Sequence, residues 1–334
     1  AVHAIGDPDW LDEMAAEVRS TIEPGRHVHL VLEHEDNQAS HLRGDFTAQW
    51  NDDAHHALHV LLTGEREGYY RDYADATRHL ARCLKEGFAY QGDPSVHRDG
   101  RSRGTPSADL GPTKFVVFLQ NHDQIGNRAL GERIGQLASP EALRAGVAVI
   151  LLSPHVPMLF MGEEWNAQQP FLFFCDFEAA LAALVREGRR GEFSRFERFR
   201  DETARLLIPD PSALDTFERS RLDWDALADP AHRQWLELYR RLLKLRAEEI
   251  APRLAGASGL AYSVSEAGEL CASWQMGDGT RLHLYANLQA RPIASSRRSA
   301  GRILFTTDAQ FGAALTGSDL APWSVTWALE DADG

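Results

Sequence analysis

The sequence predicts an α/β chain in which helices alternate with short parallel strands, as in a barrel, followed by a small antiparallel β domain. Three observations point there. Short apolar runs at 27–33 (HVHLVLE), 115–119 (FVVFL) and 156–161 (VPMLFM) each end in or run into a polar loop that carries acids. Helix-like patterns lie between these runs, the order that builds a parallel sheet. From about Arg253 the segments become short and alternating, with a hairpin signal at Asp278-Gly279.

Taken in order, Asp7-Pro8 starts a helix, with a capping side chain ahead of a first-turn proline. Trp10, Leu11, Met14, Ala15 and Val18 then recur at helical spacing, and Pro24-Gly25 ends the run. His27–Glu33 reads as a buried strand ending in a carboxylate, and Phe46–Trp50 as a second strand before the polar cluster NDDAHH. Helices are expected over about 54–62 and 70–86, and a long surface loop rich in Gly, Pro, Ser, Asp and Arg over 91–113. Phe115–Leu119 is the clearest strand and runs straight into QNHDQIGNR. A helix over 140–152 follows, then the strand 156–161 ending in GEEW. Residues 166–228 read as irregular, with a helical piece near 177–188. Asp229-Pro230 opens a helix striped by Trp235, Leu238, Tyr239, Leu242 and Leu245. In the tail, Trp323, Val325 and Trp327 alternate on one strand face.

Composition narrows the functional classes. With 334 residues the chain can bury one large core and a smaller appended domain, expected at 1–250 and 251–334. A net charge of −14 argues against gripping phosphate backbones, so no nucleic-acid partner is expected. No apolar run reaches the roughly 20 residues that span a bilayer, so no membrane partner is expected either. Cys83, Cys175 and Cys271 match no metal-ligand spacing and suit a reducing, cytoplasmic compartment. Nucleotide-binding glycine loops and a nucleophile elbow are absent.

The chemistry-bearing residues are acids at strand ends. Breaking a glycosidic bond takes a proton donor at the leaving oxygen and negative charge beneath the developing oxocarbenium ion. Glu33 and Asp123 are placed for such work. Each also has a plainer reading: Glu33 capping a helix or pairing with an arginine, Asp123 satisfying loop backbone groups. His122, Asn121, Gln124 and Asn127 could bind sugar hydroxyls. Trp50, Asn51, Asp52, Asp53 and His55 read as a sugar subsite, with core packing as the alternative for Trp50. His55 and His56 beside two aspartates raise the question of a metal, but adjacent helical residues face different ways and no zinc motif is matched, so none is expected.

FLQNHDQIGNR resembles the seventh-strand block of the α-amylase family, HLVLEHEDN its fifth-strand block and VPMLFMGEEW its eighth. QWNDDAHHALHVLLTGEREGYY, AYQGDPS and NHDQIGNRALGER are similar to the maltooligosyltrehalose trehalohydrolases of that family, the similarity running through most of 1–250. The resemblance implies the second half of a (β/α)8 TIM barrel followed by a small C-terminal antiparallel β domain. It implies Glu33 as proton donor, Asp123 as transition-state stabiliser and His122 as a sugar ligand at the cleavage subsite. It also makes His3 a substrate-binding residue and puts the nucleophile just ahead of Ala1, so the chain is expected to be an N-terminally truncated piece, inactive alone. The implied reaction is retaining hydrolysis of the α-1,4 bond beside the terminal trehalose of a maltooligosyltrehalose or related α-glucan, without cofactor. A glucan branching enzyme and a non-catalytic glucan-binding fragment are the alternatives.

Overall fold

The computed structural model describes residues 9–295, 300–308 and 319–332, and the expected helix start at Asp7-Pro8 lies outside them. The chain divides into two compact units. One combines the segment up to Leu119, Glu141–Met158 and the segment from Arg241. The other combines Gln120–Pro140 and Leu159–Arg240.

In the first unit the strands β1 (Val31–Leu32), β2 (Ala48–Trp50), β5 (Phe115–Val117) and β6 (Val156–Pro157) form one sheet in that order. Every neighbouring pair is parallel: Val31 lies opposite Ala48, Trp50 opposite Val116, and Val117 opposite Pro157. Helices α1 (Asp9–Ser20), α2 (Ala39–Arg43), α3 (Asp52–Thr63), α4 (Ala76–Glu86) and α7 (Pro140–Leu152) accompany these strands. Leu11, Ala15, Leu32, Leu42, Phe46, Phe88 and Phe115 pack into one buried cluster. The expected helix over 140–152 is found, and its run from Val147 to Leu152 is buried throughout.

Three expectations change in detail. Helix α3 begins at Asp52 because the Asn51 side chain caps it, accepting from Ala54 N at 3.2 Å. The helix expected over 70–86 splits into a 3-10 turn, Gly68–Tyr73, and α4. Asp72 lies in that turn, where its buried carboxylate accepts from Ser95 Oγ at 2.6 Å and His97 N at 2.7 Å. The loop over 91–113 contains the two-stranded ribbon β3 (Asp93–Pro94) with β4 (Ser102–Arg103) and buries Arg103 and Ser107. Gly104, the residue after β4, has φ +78°, and a Cβ there would lie 1.8 Å from the Tyr90 carbonyl oxygen.

The C-terminal residues of this unit form a five-stranded antiparallel sheet ordered β10 (Arg302–Thr306), β11 (Ser324–Glu330), β9 (Arg281–Asn287), β8 (Leu270–Gln275), β7 (Ser258–Val264). The hairpin at Asp278-Gly279 joins β8 to β9, with Met276 N donating to Thr280 O at 2.9 Å. Val325 and Trp327 are buried on β11, whereas Trp323 precedes the strand in a left-handed conformation, φ 56°. Trp274 and Trp327 stack at 5.6 Å, and their indole N–H groups donate to Leu84 O of α4 and Ala148 O of α7. Burying an indole with its polar handle satisfied fastens the sheet to the helices on a specific footing.

The second unit holds α5 (His122–Gly126), α6 (Ile134–Leu137), α8 (Ala179–Glu192), α9 (Glu202–Arg205), α10 (Leu214–Ser220) and the start of α11 (Pro230–Leu245). Residues 166–228 are therefore more helical than their sequence indicates. Ala129, Phe193, Phe199 and Ile208 make a small core there. Arg189 lies over the Phe173 and Phe193 rings and donates to Gly126 O and Arg128 O.

Two buried histidines in the first unit set an acid limit on its stability. Burial pushes His55 on α3 and His155 before β6 down to about 3, with a neighbouring like charge adding to the effect in each case. An unfolded imidazole takes its proton near pH 6.5, while these rings stay neutral down to about 3. Between those values the unfolded state binds more protons, so stability falls as pH drops through the window, by roughly 1.4 kcal/mol per pH unit for each ring. Urea unfolding at pH 7.5, 5.5 and 4.5 should show this slope reduced by one ring's share in His155→Gln; an unchanged slope would contradict the assignment.

Candidate functional site

Glu33 is the first residue past β1 and is half-buried. The loop that follows it is held from beneath by polar side chains. Gln49 of β2 donates to His34 O at 2.7 Å and to Asn37 Oδ1 at 3.0 Å. Arg103 Nε donates to Glu35 O at 2.8 Å. Asn37 has a left-handed backbone, φ 53°, which asparagine tolerates better than most residues, and its Nδ2 donates to Asp53 Oδ2 at 3.0 Å.

Asp53 is the centre of this arrangement and is fully buried. Its Oδ1 accepts from the Tyr73 hydroxyl at 2.6 Å and faces Arg103 Nη1 at 2.8 Å. Its Oδ2 also accepts from the backbone N–H groups of Ala89 and Tyr90, at 2.8 and 3.0 Å. Burial works against the Arg103 charge, but Asp53 and Tyr73 overcome it and hold its pKa above the ordinary value. One carboxylate thereby ties together the loop after Glu33, the turn after α4 and the ribbon β3–β4. A cavity of about 720 Å³ in the same unit is lined by Phe46, Thr47, Thr113 and Lys114, which precede β2 and β5; Glu33 is not among its lining residues.

In the second unit Asn121 Oδ1 caps α5, accepting from Asp123 N at 2.9 Å and Gln124 N at 3.1 Å. Asp123 is half-buried in the first turn, and Asn127 Nδ2 donates to its Oδ1 at 2.5 Å. His122 and Asn127 are exposed. The residue before the cap, Gln120, is buried, and its Oε1 accepts from Ile134 N at 3.1 Å. Glu163 is buried as well and accepts from the Tyr239 hydroxyl at 3.0 Å. Burial pushes this carboxyl up to about 7, against the pull of the Tyr239 and Phe160 N–H hydrogen bonds.

The sequence-derived residues thus fall into two groups. Glu33, Trp50, Asn51, Asp52, Asp53 and His55 belong to the first unit, and Asn121, His122, Asp123, Gln124 and Asn127 to the second. His3 lies outside the described residues. Of the residues expected to contact sugar, Asn51, Asp53, His55, Asn121 and Gln124 are buried. Asn51 caps α3 and donates to Gly87 O at 2.7 Å, Asp53 is the hub above, and His55 bonds Leu119 O at 2.8 Å while stacking on Phe118. Trp50 and Asp52 remain half-buried, and Trp50 meets Phe118 edge-on. Sequence reasoning passed over Asn37, Tyr73, Arg103, Gln120, Glu163 and Tyr239. Only Glu163 carried a signal, as an acid in the GEEW that ends an apolar run.

A family model described as a domain of unknown function (DUF3459) matches residues 257–327. A malto-oligosyltrehalose trehalohydrolase from Deinococcus radiodurans is 37% identical over 286 residues, covering 81% of this chain and 46% of that protein. One from Brevibacterium helvolum is 40% identical over 282 residues, covering 83% of this chain and 45% of that protein. The chain therefore spans somewhat less than half the length of these curated relatives. Among solved structures, a candidate alpha amylase from Salmonella typhimurium superimposes with a TM-score of 0.86 at 38% identity, covering 99% of this chain and 56% of that one. An α-amylase from H. orenii shares the fold, at a TM-score of 0.52 and 14% identity, covering 99% and 59%.

The Asp53 hub makes a stability prediction. Asp53→Ala strands the buried Arg103 charge and should cost about 3–5 kcal/mol in urea unfolding. The double variant Asp53→Leu/Arg103→Leu should recover only part of that, since the Ala89 and Tyr90 N–H groups stay unpartnered. Full recovery would show that the ion pair alone matters.

Proposed function

We propose that this chain belongs to the maltooligosyltrehalose trehalohydrolase family of α-amylase-type glycoside hydrolases and that the whole protein releases trehalose from a maltooligosyltrehalose. In this reading it hydrolyses the α-1,4-glucosidic bond next to the terminal trehalose unit, with retention, and residues 1–250 are the later part of the catalytic barrel ahead of a β domain at 251–334. The observation that carries the reading is the place of the two acids. Glu33 follows β1 directly, and Asp123 comes a short way past β5, so each lies beyond the C-terminal end of a parallel strand.

Glu33 gives its proton to the leaving glycosidic oxygen and later takes one from the water that frees the covalent intermediate. The attacking carboxylate is the one the resemblance puts ahead of Ala1. Asp123 lends negative charge where the sugar ring becomes cationic. The Asn127 amide bonded to Asp123 fixes the carboxylate plane, so little reorganisation is needed as charge develops. His122, exposed beside it, binds a sugar hydroxyl, and Trp50 and Asp52 line the glucan path. Asp53 and His55 serve the same reaction indirectly, Asp53 by holding Asn37 in the loop after Glu33 and His55 by holding Leu119 O past β5.

Product analysis on the complete protein tests the assignment. Free trehalose from maltooligosyltrehalose is expected; new α-1,6 branches without free trehalose would give the function to a branching enzyme instead. In Glu33→Gln and in Asp123→Asn, kcat should fall by on the order of 10²- to 10⁴-fold with KM little changed. Retention of more than about a tenth of the activity in either variant removes that residue from the proposed role.

A further inference from the structure

The helix α5 that carries Asp123 is only five residues long, His122–Gly126. A helix that short makes few bonds of its own, and most of its carbonyls have no partner within it. Its direction is therefore set by what its two ends touch. Asn121 holds the N-terminal end, its Oδ1 accepting from Asp123 N and Gln124 N. The C-terminal end is held from α8, 63 residues further along the chain. There Arg189 Nη2 donates to Gly126 O at 2.6 Å and to Arg128 O at 2.9 Å.

Arg189 is well placed to keep that hold. Its guanidinium is buried and lies over two rings, 4.8 Å from the centre of Phe173 and 5.3 Å from that of Phe193. Rings against its faces leave the group few other orientations, and its positive charge suits the carbonyl end of a helix. Phe171 packs against the same end: its N–H donates to Gly131 O at 3.0 Å, and a Cβ added at Gly126 would meet its ring at 3.7 Å. Gly126 lies about one turn past Asp123, so fixing its carbonyl fixes the rotation of the helix about its axis. We propose that Arg189 is a positioning residue for Asp123, setting through its two carbonyl bonds the orientation of the helix that presents the carboxylate. The inference rests on the role given to Asp123 above.

The other arginines of α8 mark the difference. Arg190 faces Glu187 at 3.6 Å, and Arg186 pairs with Glu187 at 3.3 Å and with Asp210 at 3.1 Å. Those pairs are partly solvated and join carboxylates, as surface arginines commonly do. Arg189 instead spends its charge on backbone carbonyls at the foot of α5. Arg186 therefore serves as a control on the same helix.

The test compares Arg189→Ala, Arg189→Lys and Arg186→Ala in the complete protein. Without substrate, hydrogen–deuterium exchange over residues 122–128 should be faster in Arg189→Ala and unchanged in Arg186→Ala. With maltooligosyltrehalose, kcat of Arg189→Ala should fall about 10- to 100-fold while KM stays within about twofold, because a misplaced carboxylate weakens the transition state rather than substrate binding. Added methylguanidinium should restore part of that kcat, a response that lost packing alone does not give. Arg189→Lys keeps the charge without the flat fork and guards against misfolding of the alanine variant; its kcat should still drop several-fold at unchanged KM. Unchanged exchange, or a native kcat in Arg189→Ala while Asp123→Asn is inactive, overturns the proposal. A loss carried by KM, or shared by Arg186→Ala, overturns it too, since that is general damage to α8. Faster exchange with a native kcat in both Arg189→Ala and Asp123→Asn removes Asp123 from the reaction and this role of Arg189 with it, so the two failures are told apart.

Discussion

The first unit depends on burying one negative charge well. Asp53 gives up its hydration entirely, and such a group is tolerable only when every lone pair finds a donor. The donors come from places distant in sequence: Asn37, Tyr73, Ala89, Tyr90 and Arg103. They lie in the loop after Glu33, the 3-10 turn, the turn after α4 and strand β4. The carboxylate therefore acts as the anchor for segments that have no ladder of their own, including the one that begins at Glu33. Its shape follows from the chemistry: two backbone N–H groups and two side-chain donors define the carboxylate plane, and Arg103 neutralises it.

The second unit buries Glu163 by another solution. No guanidinium reaches this acid; it has a phenol and a distant N–H. Neutral donors only partly offset desolvation, so the charged and uncharged forms come close in energy. Asp53 has a guanidinium against it and holds structure, whereas burial without such a partner raises the Glu163 carboxyl to about 7. The contrast is one of partners, since both side chains are almost completely hidden from solvent.

The architecture was legible where the signal is local. Phe115–Val117 is apolar on every side and could only be an interior strand, and Pro140–Leu152 pairs a proline start with an unbroken buried run. Asp278-Gly279 dictates its hairpin by turn chemistry. The signal failed where a polar side chain finds its partner far away. Nothing in the NDDAHH cluster says that Asp53 turns inward to Arg103, and an acid beside exposed neighbours looks like a surface acid. Asp72, in the helix expected over 70–86, likewise finds its partners at 95 and 97. Of the candidate site, the two strand-end acids could be singled out from sequence, because strand ends can be read. The groups that position them could not, because their pairing is a property of the fold.

These remote pairings answer a weakness of the sheet itself. Strands of two or three residues supply few ladder bonds to fix register. A parallel sheet this short needs its backbone pinned by other means, and polar side chains aimed at carbonyls provide them. His55 takes Leu119 O, Asn51 takes Gly87 O and Gln49 takes His34 O. Arg246 does the most, donating to Leu151 O, Ser153 O and His155 O, and so closes the end of α7 and the entry to β6 with one guanidinium. Burial lowers its pKa to about 10, still far enough above neutrality to keep a cation against the partial negative charge of a helix C-terminus. The cost of hiding these charges and amides is offset by the hydrogen bonds they make to carbonyls that the short ladders leave open at strand ends.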